Sequence, residues 1–198
     1  MKWLTPDERD QLLSWLDSGD VPNGKYGYYY RLFIAIALES GLRITEILGG
    51  ESTIHGEIKG LTHGQADPDN ERWDEVLRLK RKDAPRIRAY MGPRTRRVYL
   101  NRFPVPQNPD SRIFSEGPHR NDVLKFCKRL GKRLGIDNLT PHRLRHTAGK
   151  DIMRYTKDLS KVQAALGHKH MGTAMIYSEA SEEEGFEAMK KIRGNMHD

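Results

Sequence analysis

The sequence predicts a mainly α-helical fold with a small antiparallel three-stranded β-sheet, and three observations support this class. A threonine cap precedes a proline at Thr5-Pro6 and at Thr140-Pro141, a pattern typical of helix starts. Apolar residues follow at helical spacing, and glycines such as Gly41 and Gly135 end these runs. Strand-like runs are concentrated between residues 75 and 100. At 198 residues and 36% hydrophobic content, the chain can form one domain with its own core.

Helical patterns cover most of the chain on both sides of the strand-like segment. The predicted helices are one starting at Thr5-Pro6, then Tyr28–Leu38, Arg43–Leu48, Asn121–Leu134, one starting at Thr140-Pro141, Ser160–Leu166, Ala174–Tyr177 and an amphipathic tail helix after Ser181. Residues 49–70 have no clear period. We therefore expect one main domain over residues 1–180, with residues 181–198 as an amphipathic tail that packs on its own domain or contacts a neighbouring protomer.

Three runs in the middle of the chain predict the sheet. They are Glu75–Lys80, Arg86–Met91 and Arg97–Leu100. Between the second and third runs, the sequence Gly92-Pro93-Arg94-Thr95 is typical of a hairpin turn. Arg94 is therefore predicted at the tip of a β-hairpin.

The positive charge is concentrated on this predicted sheet. The formal net charge is +7, and Asp83 is the one acidic residue between positions 78 and 102. The basic residues there are Arg78, Lys80, Arg81, Lys82, Arg86, Arg88, Arg94, Arg96, Arg97 and Arg102. Such an excess favours a surface for the DNA phosphate backbone. The alternative is a basic sheet edge that resists pairing with another strand.

The segment TPHRLRHT, residues 140–147, brings basic side chains to the start of a helix. His142 lies three residues before Arg145 and four before His146, so each pair shares a helix face. Free N–H groups at a helix start bind anions, and an arginine fork adds to that site. A zinc site with His168 and His170 is the alternative, but the arginines beside the histidines disfavour a cation. We predict no metal, and a buried structural role for His146.

The remaining features indicate a soluble, cytoplasmic, DNA-associated protein. The chain starts with a charged segment, and its longest apolar run, Leu32–Leu38, is far shorter than the ~20 residues of a membrane span. Cys127 is the single cysteine, so no intrachain disulfide can form. Its position within a helical apolar pattern predicts a core residue.

Four segments, in this order, resemble the catalytic domain of tyrosine recombinases of the phage integrase and Xer type. They are SGLRITEIL, TPHRLRHT, AALGH and MIYSE, and LTPDERDQLLSWL is similar to the opening helix of the same domain. The resemblance implies the family's α+β fold. It also implies a site-specific recombinase or integrase that cleaves and rejoins DNA through a 3′-phosphotyrosyl intermediate, without metal, cofactor or ATP.

The resemblance also implies a role for each matching residue. Tyr177 corresponds to the nucleophile, and Arg43 and Arg145 to the two arginines that clamp the scissile phosphate. His142 corresponds to the general base, and His168 to the histidine that hydrogen-bonds the phosphate.

In the family, the general acid is a lysine in a β-hairpin turn, and the turn predicted here contains no lysine. Arg94 stands in the turn predicted above, although arginine is a poor proton donor. Lys80 and Lys82, on or just after the preceding strand, are the alternatives. The departure leaves open a catalytically weakened DNA-binding accessory protein, and a relaxing enzyme similar to type IB topoisomerases is a further alternative.

The family's N-terminal DNA-binding domain has no counterpart before LTPDERD. In the family, that domain forms one half of a C-shaped clamp around DNA. We therefore expect a catalytic domain without this half. It would be a monomer in isolation that assembles into a tetrameric synapse on double-stranded DNA.

Overall fold

The computed structural model describes residues 3–77 and 86–167, and these form a mainly helical domain with two small antiparallel sheets. The helices are α1 (Pro6–Asp17), α2 (Gly27–Ser40), α3 (Ile44–Leu48), α4 (Pro93–Arg102), α5 (Arg120–Leu134), α6 (Pro141–Thr156) and α7 (Leu159–Leu166). The strands are β1 (Gly50–Ser52), β2 (Gly56–Ile58), β3 (Ala66–Asp67), β4 (Arg72–Val76) and β5 (Ile87–Tyr90). The predicted fold class is confirmed.

The first helix begins where the sequence predicts, because a capping box closes its N-terminus. The Thr5 hydroxyl accepts from the Glu8 amide at 3.2 Å, and Glu8 Oε2 accepts from the Thr5 amide at 2.8 Å. The same arrangement of threonine followed by proline starts α6, where Thr140 Oγ1 accepts from the Arg143 amide at 3.1 Å. These local bonds satisfy amides that a helix start otherwise leaves unpaired.

Helix α2 is the centre of the core and is buried along most of its length. Leu32, Phe33, Ile34 and Ile36 are fully buried, and the helix packs against both α4 and α6. It ends at Gly41, whose φ of 66° is left-handed. A Cβ at Gly41 would lie 2.6 Å from a methyl group of Leu166, so glycine also allows α7 to approach closely.

Arg143 joins α1 to α6 from a buried position. Its guanidinium donates to the backbone carbonyls of Trp3 and Asp137 and pairs with the Glu8 carboxylate that also caps α1. Nearby, the Leu4 amide donates to Thr147 Oγ1 at 3.0 Å. Arg143 therefore holds the chain start against the helix that carries His142 and Arg145.

The three-stranded sheet consists of β3, β4 and β5, in that order. In the β4–β5 pair, Trp73 lies opposite Ala89, and Trp73 is fully buried beneath the sheet. A register irregularity follows Trp73, where Glu75 adopts a φ of 54°. Strands β1, β2 and β3 all arise from residues 49–70, where the sequence pattern predicts no element.

The predicted strand Arg97–Leu100 and the predicted hairpin turn before it are wrong, because both lie in α4. Gly92 is the N-cap and Pro93 the first helical residue. The Glu39 carboxylate of α2 accepts from the Arg94 amide at 3.3 Å and from the Thr95 amide at 2.9 Å. A carboxylate from another helix thus supplies the negative charge that a helix start favours. The consecutive antiparallel strand pairs of this sheet are instead β3–β4 and β4–β5.

Cys127 lies in the core face of α5, as predicted. It is fully buried, and burial raises the pKa of its thiol to about 12. The thiol is therefore protonated and inert in the folded protein. The predicted helix at Ala174–Tyr177 and the tail from Ser181 lie outside the described residues. In the two described ranges, no helix is long and apolar enough to cross a membrane.

Candidate active site

Arg43 is held at the start of α3 by a glutamate one turn further on. It is the N-cap residue, and its amide donates to Glu46 Oε2 at 2.8 Å. Its guanidinium Nη1 donates to Glu46 Oε1, also at 2.8 Å. Two bonds from one residue to one carboxylate fix both the backbone and the side chain of Arg43.

Arg145 is buried on α6 and reaches the ends of two other helices. Nη1 donates to the carbonyl of Gly41 at the end of α2, and Nη2 donates to the carbonyl of Leu166 at the end of α7. Arginine at a helix C-terminus satisfies carbonyls that have no partner within their helix. Nη1 also lies 4.0 Å from Glu46 Oε2.

Glu46 therefore lies between the two predicted phosphate-binding arginines, with its side chain fully buried. Its carboxylate balances part of the positive charge of Arg43 and Arg145 in a place where unpaired charges would be costly. The sequence pattern did not identify this residue. A glutamate three residues after a helix cap is ordinary in a capping box, so spacing alone gave no indication of its second partner.

His142 and His146 lie on one face of α6, as their spacing predicts. Their Nε2 atoms are 2.7 Å apart, and their rings are nearly perpendicular, at 86°. His142 is exposed, and His146 is half-buried rather than enclosed in the core as predicted. Within residues 3–77 and 86–167, no group of three or more histidine, cysteine or acidic residues could hold a metal ion.

Two of the predicted catalytic residues, His168 and Tyr177, lie outside the described residues. Arg145 nevertheless bonds to the carbonyl of Leu166, two residues before His168 in the chain. The described site thus consists of Arg43, Glu46 and Arg145 as one contiguous cluster. His142 lies one helical turn before Arg145.

Arg94 is not in a hairpin but on the first turn of α4, where it pairs with α1. Its Nε and Nη2 donate to the two oxygens of the Asp17 carboxylate at 3.0 and 2.7 Å. Arg97 donates to the same carboxylate at 2.7 Å. The hydrogen bonds from Arg94, which have the larger effect, and from Arg97 lower the pKa of Asp17 below its usual value. The prediction that Arg94 lies at the tip of a β-hairpin is therefore wrong.

A cleft of about 370 Å³ lies between Glu46 of the arginine cluster and the two described ends of the β4–β5 connection. Glu46 lines this cleft together with Leu77 and Arg86, the residues that flank the β4–β5 connection. Lys80 and Lys82 belong to that connection in the sequence but lie outside the described residues, as do Arg78 and Arg81. Both ends of the connection thus lie at the cleft that Glu46 lines.

Acidic residues from elsewhere in the chain pair with most of the predicted DNA-binding arginines that are described. Arg88 Nε lies 3.2 Å from an oxygen of Asp74, and Arg96 Nη2 lies 3.7 Å from Asp69. Arg97 pairs with Asp17, whereas Arg86 is exposed at the cleft. The local charge excess seen in the sequence is therefore smaller in the folded domain, and the role of these residues in DNA contact remains a prediction.

A second basic surface, which the sequence pattern did not single out, lies on α5. Its exposed cations are Arg120, Lys125, Lys128, Arg129, Lys132 and Arg133. In the described part of the chain, the salt bridges of this helix join one of them, Arg133, to Asp20 at 3.9 Å. Lys125, Lys128 and Lys132 recur at intervals of three and four residues, a spacing that would have predicted one cationic face. We call these three lysines the α5 lysine row.

Comparisons with known proteins identify the family of this chain. Residues 86–184 match the model of the phage integrase family. The chain is 26% identical over 193 residues to tyrosine recombinase XerA of Thermococcus kodakarensis, covering 97% of this chain and 63% of that protein. It is 26% identical over 195 residues to XerD of Staphylococcus aureus, covering 95% of this chain and 61% of that protein.

Solved structures share the fold. The chain superposes on the XerA recombinase crystal structure with a TM-score of 0.68 at 21% identity, covering 96% of this chain and 65% of the other. For XerH bound to its difH substrate, the TM-score is 0.67 at 20% identity, with 96% and 54% covered. The chain thus spans about three fifths of the length of these relatives. By its matched segment and its fold, the chain belongs to the phage integrase family.

Proposed function

We propose that this chain is the catalytic domain of a site-specific tyrosine recombinase acting on double-stranded DNA. The observation that carries the proposal is the cluster in which one buried carboxylate, Glu46, holds Arg43 and Arg145 together. Two fixed guanidinium groups match the needs of a phosphodiester whose non-bridging oxygens gain charge during attack. The family membership and the names of the relatives support the same assignment.

In the proposed reaction, the Tyr177 phenol attacks the scissile phosphorus while His142 accepts its proton. A phenol with a reference pKa of about 10 needs this base at neutral pH. The P–O bond to the 5′-oxygen breaks, giving a 3′-phosphotyrosyl link and a 5′-hydroxyl. Because the link is itself a phosphodiester, rejoining needs no ATP. Arg43, Arg145 and His168 stabilise the phosphate oxygens, so the guanidinium groups provide the charge that a metal ion would otherwise supply.

Covalent trapping on nicked DNA tests this assignment. In a nicked duplex, the short 5′-hydroxyl fragment dissociates after cleavage and leaves the protein attached. Wild type should form an adduct that survives denaturation on a pool of nicked duplexes of random sequence. Tyr177→Phe should form none, and Arg145→Lys should slow adduct formation by about 10²–10³-fold.

The controls for this experiment separate the alternatives. A full-strength adduct from Tyr177→Phe would overturn the role of Tyr177. DNA binding without any adduct from wild type would instead favour an accessory protein. Supercoil relaxation by a monomer, without site preference, would favour a topoisomerase-like enzyme. For the recombinase we propose self-association into a tetramer on DNA.

We assign the general acid to the β4–β5 connection, at Lys80 or Lys82, rather than to Arg94. The cleft that joins this connection to Glu46 supports the assignment, whereas Arg94 is paired with Asp17. Alanine at the active lysine should lower cleavage of an ordinary phosphodiester about 10²–10⁴-fold. Replacing the 5′-bridging oxygen with sulfur should restore the rate, because a thiolate leaves without protonation.

The matched variant for this test is Arg94→Ala, which should cleave the oxygen and sulfur substrates in the wild-type ratio. If Arg94→Ala were the variant rescued by sulfur, the general acid would be at Arg94 or depend on it. The assignment would also be contradicted if the Lys80→Ala and Lys82→Ala variants both cleaved the ordinary substrate as fast as wild type.

We further propose that the α5 lysine row contacts the DNA backbone. Each neutralised phosphate adds about 0.9 to the slope of log affinity against log salt concentration. Changing Lys125, Lys128 and Lys132 together to glutamine should therefore lower that slope by about 2–3. The control changes Lys25, Lys157 and Lys161 to glutamine, which removes the same charge from other surfaces. An equal loss of slope in both variants would show only a general charge effect and would contradict a specific contact.

A further inference from the structure

The hydrogen bond between His142 and His146 restricts where these two rings can carry protons. A neutral imidazole has one N–H and one lone pair, so at 2.7 Å one Nε2 must donate and the other accept. Two Nε2–H groups cannot face each other at that distance. The pair therefore holds a single proton between its Nε2 atoms.

The two rings differ in how firmly the fold holds them. His146 is half-buried, and its chain neighbours Arg145 and Thr147 are both buried. Arg145 is bonded to the ends of α2 and α7, so two other helices hold this turn of α6 in place. His142, on the first turn of the same helix, is exposed. His146 is thus the anchored partner, and it can orient the more exposed ring.

We propose that His146 is a positioning residue that fixes the tautomer of His142. In this arrangement, His146 Nε2 is the acceptor and the Nε2–H of His142 is the donor. The lone pair of His142 then resides on Nδ1, the nitrogen that would take the phenol proton. The inference rests on the proposed function, in which His142 is the base for Tyr177.

The proton transfer balances within this pair. The phenol O–H bond breaks, its proton forms a bond to His142 Nδ1, and the phenolate electron pair attacks phosphorus. His142 becomes an imidazolium, and its Nε2–H bond to His146 becomes charge-assisted and therefore stronger. On rejoining, the proton returns from Nδ1 to the departing phenolate. His146 holds the base in orientation, as the third member of a nucleophile–base–orienter set does.

The opposite arrangement has a different chemical outcome. If His146 donated and His142 accepted, the proton of neutral His142 would be on Nδ1, and its only lone pair would be directed at His146. His142 could then accept a phenol proton only after the pair separates. The two arrangements place different nitrogens of His142 in the protonated state, so spectroscopy can distinguish them.

The experiment combines histidine ¹⁵N NMR of the free protein with covalent trapping. His146→Phe keeps a ring of similar size but has no acceptor, whereas His146→Gln retains a carbonyl acceptor. His55→Phe removes an imidazole from the turn between β1 and β2 and serves as the matched control. Thermal unfolding of each variant establishes that it is folded.

Wild-type His142 should be the Nε2–H tautomer, and His146→Phe should convert it to a mixture. His146→Phe should slow adduct formation about 10–100-fold at unchanged DNA affinity, with a shifted pH profile. His146→Gln should stay within about fivefold of wild type, as should His55→Phe. A His142 proton on Nδ1 in wild type, or a His146→Phe rate equal to wild type, would overturn the proposal.

The NMR arm does not depend on cleavage. If wild type forms no adduct, the proposed function and the catalytic part of this inference both fail. An unchanged His142 tautomer in His146→Phe overturns the positioning role even if cleavage proceeds normally.

Discussion

Glu46→Gln is expected to destabilise the domain by about 3–5 kcal/mol, the usual cost of removing one partner from a buried ion pair. The glutamine side chain has nearly the same shape, so packing is preserved while the charge that balances Arg43 and Arg145 is lost. Adduct formation should also fall, because the two guanidinium groups would repel each other. Urea unfolding at neutral pH measures the first effect, and covalent trapping under folding conditions the second.

Glu116→Gln is the matched control for this variant, since Glu116 is exposed and the same charge is removed. It should change stability by less than about 0.5 kcal/mol. If Glu46→Gln were as stable as Glu116→Gln, the carboxylate would not be the link between the two arginines.

Arg143→Met is expected to destabilise the domain by about 2–4 kcal/mol while leaving the chemistry of a folded molecule largely intact. The change removes the bonds to the carbonyls of Trp3 and Asp137 and the pair with Glu8. Methionine fills much of the space but donates nothing. Since none of these partners belongs to the arginine cluster, the rate of adduct formation should fall less than tenfold below the unfolding transition.

The control is Arg154→Met, an exposed arginine on the same helix, which should be close to neutral in urea unfolding. A purely structural role of Arg143 would be contradicted if folded Arg143→Met lost as much adduct formation as Arg145→Lys. The comparison separates two arginines that are only two positions apart in the sequence.

The parts of the fold that follow from local bonds could be predicted from the sequence. Thr5 and Thr140 cap their own helices, and Gly41 and Gly135 end theirs in left-handed conformations. The start of α4 could not be predicted in this way. Its amides are capped by Glu39, which is 55 residues away from Arg94. A run as short as Arg97–Leu100, with three apolar residues, cannot distinguish a strand from a helix.

The same difference between local and long-range contacts applies to the candidate site. Arg43, His142 and Arg145 were identified from short segments, and the structure places the two arginines against one carboxylate. The burial of that carboxylate depends on how α3 packs against α2 and α5 and on how Arg145 reaches it from α6, which no local pattern encodes. Asp17 neutralises Arg94 and Arg97 from about 80 positions earlier in the chain, so counting charges within one segment overestimated its positive charge.

The two hydrogen bonds from Arg145 to backbone carbonyls also determine at which stage of folding this site is assembled. One partner is 104 positions away in the chain and the other 21, so the guanidinium is oriented only after α2, α6 and α7 have come together. Contacts of such long sequence separation form late and are lost together when the domain opens. A nascent or partly unfolded chain therefore lacks the assembled arginine cluster. Under the proposed function, the centre that cuts DNA would be complete only in the fully folded molecule.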